Sequence, residues 1–159
     1  MRLTMAASQL IEALDKADVK YELLPHAHTE TALAEADALG VAPDDVAKTL
    51  VVKLPDGYVR VVVPASARLD IRKVREIHGG GRHKVHLASE EDLRRDYAAF
   101  DLGAVPPIGG RSDPVIVDRK VADRETVVIE AGSHEESLRF AAADLVRVTG
   151  ASVTDISEE

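Results

Sequence analysis

The chain carries two kinds of hydrophobic pattern, one with the period of a helix and one with the alternation of strands. The predicted helices are Ser8–Ala17, Thr29–Leu39, a single turn at Pro43–Asp45, Ala67–His78, a segment that follows Ser89, and Ala142–Thr149. The predicted strands are Val19–Leu24, Lys48–Leu54, Tyr58–Pro64, Lys84–Leu87, Pro114–Asp118, Thr126–Ala131, Ser137–Ala141 and Ser152–Ile156. Helices do not alternate regularly with strands. We therefore expect an α+β fold: a single compact domain over residues 1–159, with a mixed β-sheet and packed helices.

Several boundaries carry local signals. Asp56-Gly57 between two apolar runs is a strong hairpin signal. Thr29 or Thr31 can cap the second helix, and Gly40 stands where a C-cap glycine belongs. Ser89 precedes a run of acidic residues, which is typical of a helix N-terminus. These signals fix where elements begin and end, but not how the elements pair.

Composition narrows the class of protein. The 159 residues are 45% hydrophobic and 30% charged, which is ordinary for a globular protein and argues against disorder. The absence of cysteine excludes disulfides, thiolate metal sites and a cysteine nucleophile. No apolar run approaches the ~20 residues that span a bilayer. We expect a cytoplasmic protein without a membrane partner.

Charge limits the nucleic-acid partners. The net charge of −8 and the five aromatic residues disfavour non-specific coating of nucleic acid and base stacking, so no DNA partner is expected. The segment Ser66–His86 is the exception, with a net charge of +4 against −12 for the rest of the chain. This map is compatible with one anionic ligand held at one place. A solvated helix face followed by a basic loop is the alternative.

Familiar catalytic signatures are absent, so the candidates for chemistry are single residues and loops. Strand alternation puts Lys48 in line with Leu50 and Val52, where a partly desolvated lysine can aim a cation into a cleft or extend to water. The loop Gly103–Gly110 is rich in glycine and proline, and can present backbone groups in a fixed geometry or form a structural turn. The Gly132-Ser133-His134 segment is typical of both ligand sites and turns.

Histidines offer a further possibility. Four of them could gather around a metal ion: His26, His28, His83 and His86. A convincing zinc site needs a third ligand at a defined spacing, and His26 and His28 are better explained as residues that flank a loop near Pro25. We therefore expect no metal and no cofactor.

Four segments in this order resemble the YbaK/ProX family of freestanding aminoacyl-tRNA deacylases, which is related to the editing insertion of bacterial prolyl-tRNA synthetases. The segments are Val46–Val52, Val62–Ala65, Gly103–Gly109 and Glu130–His134. The resemblance covers about Thr29 to Ile156. It implies a compact α+β domain that hydrolyses the ester of a mischarged tRNA.

The resemblance also implies roles for particular residues. Lys48 matches the near-essential catalytic lysine of the family, and Gly103–Pro107 matches its GxxxP-type loop. The implied substrate-binding residues are Thr29, Glu30, Gly103, Pro106, Pro107, Gly109, Gly132, Ser133 and His134. His134 stands where many relatives carry a small or a basic residue.

The expected partners are the acceptor end of a mischarged tRNA and an aminoacyl-tRNA synthetase. The basic residues expected to meet the acceptor stem are Arg68, Arg72, Lys73, Arg82 and Lys84. Two alternatives stay open at this point. One is a module without turnover that binds an aminoacyl-nucleotide-like ligand or a protein, and the other is a metal-dependent hydrolase built on the four histidines.

Overall fold

The computed structural model describes residues 5–159, and residues 1–4 of the predicted 1–159 domain lie outside it. The helices are α1 (Met5–Lys16), α2 (Ala32–Leu39), α3 (Ile71–His78), α4 (Glu90–Asp96), α5 (Arg119–Ala122) and α6 (Ala142–Thr149), with a 3₁₀ turn at Pro43–Asp45. The strands are β1 (Tyr21–Pro25), β2 (Ala47–Leu54), β3 (Gly57–Pro64), β4 (His86–Leu87), β5 (Val115–Asp118), β6 (Thr126–Ser133), β7 (Glu136–Ala141) and β8 (Ser152–Thr154). No helix within this range is long and apolar enough to cross a bilayer.

The larger of two sheets has five strands in the order β4-β2-β3-β5-β8. β2 pairs antiparallel with β3 and β4, whereas β3–β5 and β5–β8 are parallel, so the sheet is mixed. The β2–β3 hairpin closes where Leu54 pairs with Gly57, as the Asp-Gly signal predicts. β3 is the central strand and is buried along almost its whole length.

The smaller sheet is antiparallel, in the order β1-β7-β6. β6 and β7 form a hairpin whose register shifts between Glu130 and Ser133, which marks a β-bulge. A parallel bridge between Val46 and Val128 joins the two sheets just before β2 begins. The start of β2 therefore lies beside the middle of β6.

Two apolar clusters cover the faces of the five-stranded sheet. Val62 points into one, together with Leu10 and Leu14 of α1 and Leu145 of α6. Its neighbours on β3 point into the other, as alternation along a strand requires, and the members of that cluster include Val59, Val61, Val63, Val74 and Ile156. Because both faces are buried, the sheet is a rigid platform for the loops at its edges.

The predicted α+β fold with a mixed sheet and packed helices is confirmed, with local differences. The strands divide into two sheets instead of one. Thr31, not Thr29, caps α2, because its hydroxyl accepts a hydrogen bond from the Ala34 amide. The third helix begins at Ile71 after Asp70 as N-cap, four residues later than predicted. The short helix α5 was not predicted.

Candidate functional site

One cavity of about 460 Å³ opens between α2, β2 and the loop that follows α4. Most of its wall is apolar, and the residues that line it are Glu30, Thr31, Ala32, Leu33, Ala47, Lys48, Thr49, Leu50, Val51, Ala65, Leu87, Ala88, Leu93, Gly103, Ala104, Val105 and Glu130. Leu33 and Leu87 are each more than half exposed and form part of its rim. A mostly apolar hollow with few polar groups is typical of a small-ligand site.

Lys48 is half-buried at the start of β2 and lines this cavity. Leu50 and Val52 pack into the same apolar cluster, which agrees with the predicted alternation along the strand. Within residues 5–159 no carboxylate lies within 4.0 Å of the Lys48 ammonium group, and it makes no hydrogen bond. Burial, and then the nearby charge of Arg68, lower the pKa of Lys48 from its ordinary value. The cation is therefore available to a ligand.

Arg60 of β3, which is only 1% exposed, anchors the loop after α4. Its guanidinium donates hydrogen bonds to the carbonyl oxygens of Pro106 (2.9 Å), Gly109 (2.6 Å) and Arg111 (3.2 Å), and to Asp113 (3.2 Å). These bonds tie the carbonyls of Pro106, Gly109 and Arg111 to the buried Arg60 side chain. The part that reaches the cavity is Gly103–Val105.

Backbone amides on that part of the loop can act as donors. Ala104 donates its amide to the Asp101 carbonyl (3.0 Å), but the amides of Gly103 and Val105 donate to nothing within the described chain. Gly103 has a φ of +82°, and a Cβ there would lie 3.6 Å from the His134 ring. The glycine thus allows a strained backbone and a close approach at the cavity wall.

Buried carboxyl groups lie at the β6 end of the cavity. Glu130 lines the cavity with a side chain that is only 11% exposed. Burial, followed by the nearby charges of Glu35, Asp101 and Glu30, raises the pKa of Glu130 to about 9. Glu35 of α2 is fully buried behind it, and burial raises the pKa of Glu35 to about 7, although a hydrogen bond from Ser137 lowers it in part.

His134 follows β6 and packs against Glu130. Its Nε2 lies 2.6 Å from the Leu102 carbonyl, so this nitrogen carries a hydrogen and Nδ1 is left facing Glu130. The Nδ1–Oε2 distance is 3.2 Å, but the orientation is poor, and neither atom has a hydrogen-bond partner in the chain from Met5 onward. The side chain of His134 is 6% exposed.

The mouth of the cavity carries Glu30 and His28. His28 Nε2 lies 2.7 Å from a Glu30 oxygen, which raises the pKa of His28 and lowers that of Glu30. Thr29 does not line the cavity: its amide bonds the His134 carbonyl (3.0 Å), and its hydroxyl is buried without a partner.

The structure separates the remaining predicted binding residues into two groups. Pro106, Pro107 and Gly109 lie outside the cavity lining, and a Cβ on Gly109 would contact α1 at Gln9. Gly132 and Ser133 also lie outside it, on the bulged end of β6. Gly132 accepts the Asp101 amide (2.9 Å), which ties the β6–β7 turn to the loop after α4.

The basic residues that were expected to contact the acceptor stem differ in whether they form ion pairs within the protein. Arg72 pairs with Asp70 and Lys73 with Asp155, although Arg72 is largely exposed. Arg68, Arg82 and Lys84 form no ion pair with any other described residue. The free cations therefore lie before α3 and in the loop after it.

The four histidines of the metal-site alternative do not form a ligand set. His26 contacts Ser137 (2.9 Å), and His86 contacts the Leu87 carbonyl (3.1 Å). From residue 5 to residue 159, no three His, Cys, Asp or Glu side chains are grouped so as to hold a metal ion.

Three residues in or next to this site are not among those expected from the sequence: Arg60, Glu35 and Glu130. Arg60 and Glu130 each interrupt an apolar strand, between Val59 and Val61 and between Ile129 and Ala131 respectively. A charge in the middle of a buried strand must be paired, neutralised or functional, and that is the signal that could have found them.

Comparison with known proteins agrees with this geometry. A family model described as "Aminoacyl-tRNA editing domain" matches residues 26–148. The proline–tRNA ligase of Thermosipho melanesiensis is 25% identical over 118 residues, which are 74% of this chain and 20% of the ligase. The proline–tRNA ligase of Macrococcus caseolyticus is 25% identical over 146 residues, 84% of this chain and 25% of the ligase. The chain thus spans about a fifth to a quarter of these curated relatives.

A solved structure is similar over its full length. It is described as a provisionally assigned trans-editing enzyme for prolyl-tRNA synthetase, and it is 28% identical with a TM-score of 0.86, covering 99% of this chain and 100% of its own. Lys48, Gly103 and Glu130 all fall within the segment that the family model matches. The chain belongs to the aminoacyl-tRNA editing domain family.

Proposed function

We propose that this protein is a trans-editing deacylase that hydrolyses the ester between a wrong amino acid and the terminal ribose of a tRNA. The observation that carries the proposal is an unpaired, half-buried lysine in the cavity of an editing-family domain. We expect it to act in the cytoplasm, where aminoacyl-tRNA is found. A synthetase that uses the same tRNA is the expected second partner.

Hydrolysis of this ester requires few catalytic groups from the protein. A water oxygen attacks the ester carbonyl, the bond to the ribose oxygen breaks, and a proton from the water passes to that ribose oxygen. The products are a free amino acid and an uncharged tRNA. An activated ester needs a positioned water and donors for the developing oxyanion more than it needs a strong nucleophile.

Residues of the cavity match these needs. The free amides of Gly103 and Val105 are the candidate oxyanion donors. Lys48 anchors the terminal phosphate or ribose, or polarises the ester. The apolar wall limits the size of the amino acid side chain, which is the basis of a second sieve.

The test is release of amino acid from a panel of mischarged tRNAs, including alanyl-, cysteinyl- and seryl-tRNA. Lys48→Ala is expected to lower kcat/KM on the preferred substrate by about a hundredfold. Lys53→Ala is the matched control, because Lys53 lies on the same strand, pairs with Asp92 and does not line the cavity.

The possible outcomes lead to different conclusions about the function and about Lys48. Activity that is lost only in Lys48→Ala supports the deacylase and the lysine's role. Activity that survives in that variant moves the chemistry to the backbone amides. No turnover of any tRNA by the folded wild type contradicts the deacylase and leaves a binding module for an aminoacyl-nucleotide-like ligand or a protein.

A further inference from the structure

The cavity has an ammonium group at one end and a buried carboxyl group at the other. Lys48 supplies the first and Glu130 the second, and no ion pair within 4.0 Å joins them. Neither group has a polar partner at its functional atom, Lys48 Nζ or Glu130 Oε2, among the described residues. A ligand that fills the space must satisfy both.

Several elements contribute carboxyl groups to the Glu130 end of the cavity. Glu130 lies on β6, and its Oε2 is buried without a hydrogen-bond partner. Three further carboxyl groups act on it electrostatically: Glu30 of the cavity mouth, Glu35 of α2 and Asp101 of the loop after α4. His134 is the nearest basic group, and its Nδ1 faces Glu130. This end therefore favours a cation small enough to enter an apolar hollow.

An aminoacylated tRNA end has the matching polarity. Its phosphate and ribose lie on one side of the ester, and the α-ammonium group lies on the carbon next to the ester carbonyl. Resting on the proposed deacylase function, we propose that Glu130 binds the α-ammonium group of the aminoacyl ester, while His134 positions its carboxyl. Lys48 then meets the nucleotide side, and the amino acid side chain is left to face Leu50, Val51 and Ala104.

Two consequences follow for substrate choice. Empty, the Glu130 carboxyl holds a proton near neutral pH, because burial and its acidic neighbours raise its pKa to about 9. When the ammonium group binds, the Glu130 proton is released to water and the carboxylate pairs with the ammonium, so the charge at this end of the cavity stays balanced. Esters without a charged α-nitrogen, such as N-acylated or peptidyl esters, lose this contact and are poor substrates.

The experiment removes the ammonium group from the substrate. Nitrous acid converts the α-ammonium of alanyl-tRNA, or of whichever panel member is hydrolysed, to a hydroxyl and leaves the side chain in place. Hydrolysis of the two esters is compared, each normalised to its own spontaneous rate. In the wild type, deamination is expected to lower kcat/KM by about tenfold or more, as for loss of a charge-assisted hydrogen bond.

Two variants assign that loss to a residue. Glu130→Gln keeps the shape of the protonated carboxyl but cannot ionise, so deamination should cost it little. Glu135→Gln is the control: Glu135 lies in the turn that follows β6, is well exposed and does not line the cavity, so this variant should keep the full penalty. An equal penalty in Glu130→Gln and wild type overturns the proposal.

If Glu130→Gln fails to fold, the wild-type results alone still test whether the α-ammonium group is recognised. A wild type that hydrolyses both esters equally well overturns the assignment while the deacylase function stands. A wild type that hydrolyses no aminoacyl-tRNA contradicts the deacylase itself, and the assignment falls with it.

Discussion

At the scale of single residues, the buried carboxyl of Glu35 couples the stability of the fold to pH. Its pKa is about 7 in the folded chain against an ordinary value of 4.5, because burial penalises the charged form. The folded state therefore holds the proton more tightly than the unfolded state. Its stabilising effect is complete below about pH 4.5 and is lost as the pH rises to about 7.

Glu35→Gln should remove this dependence, because an amide does not ionise. We expect the stability of the variant relative to wild type to rise between pH 5 and pH 8, by up to about 3 kcal/mol. Denaturant unfolding at both pH values measures the difference. Glu22→Gln is the control, since Glu22 is an exposed carboxyl paired with Arg139 on β1 and β7. A Glu35→Gln difference that is equal at both pH values contradicts the assignment.

At the scale of elements, the loop 103–111 depends on one strand residue for its shape. Arg60 satisfies three of its carbonyls from within β3, and Asp113 completes the arrangement together with the Tyr97 hydroxyl (2.6 Å). Because Gly103–Val105 of the same loop form part of the cavity wall, Arg60 is a positioning residue for the site.

Arg60→Met should lower the free energy of unfolding by about 3 kcal/mol, because it removes a buried cation from the Asp113 carboxylate and the side-chain donors from three carbonyls. Amide hydrogen exchange across residues 103–111 should speed up, and deacylation should fall with it. Arg111→Met is the comparison, since Arg111 is partly exposed and should cost less than half as much. An Arg60 variant with wild-type stability and exchange would show that the loop holds its shape unaided.

Some elements of the fold can be predicted from local sequence signals, and others cannot. The β2–β3 hairpin and the α4 cap are encoded locally, by Asp56-Gly57 and by the Ser89–Asp92 capping box, and both were predicted. The four residues of α5 are too few to show a helical period. The division into two sheets depends on β1 pairing with β7, more than a hundred residues later, which no local signal records.

The same distinction holds within the site. Lys48 and Gly103 were singled out because they belong to recognisable segments, and both line the cavity. Arg60 is a single charge inside an apolar strand, and its partners lie in a distant loop that the strand pattern does not reveal. Glu130 belongs to a recognisable segment, but the resemblance assigns binding roles there only to Gly132, Ser133 and His134. The chemistry of a cavity wall is set by contacts between elements, which the pattern of one element does not contain.

At the scale of the whole molecule, the proposed function requires a chain of net charge −8 to bring a polyanion to one cavity. The mean field repels tRNA, so the approach would depend on local clusters of exposed cations. Arg72 and Lys73 already pair with Asp70 and Asp155, which weakens their attraction for phosphate. The unpaired side chains of Arg82 and Lys84, in the loop after α3, are the better candidates for the acceptor stem.

Reversing both charges with Arg82→Glu/Lys84→Glu should raise KM for mischarged tRNA several-fold and make its dependence on salt less steep, by about one unit of log–log slope per lost phosphate contact. An aminoacyl-adenosine ester that fills the cavity without reaching the loop should be hydrolysed at the wild-type rate. Arg119→Glu/Lys120→Glu changes the net charge equally, on α5 and outside the cavity lining, and should leave KM for tRNA closer to wild type. If both double variants raise KM alike, the effect comes from total charge, and the loop after α3 is not where the acceptor stem binds.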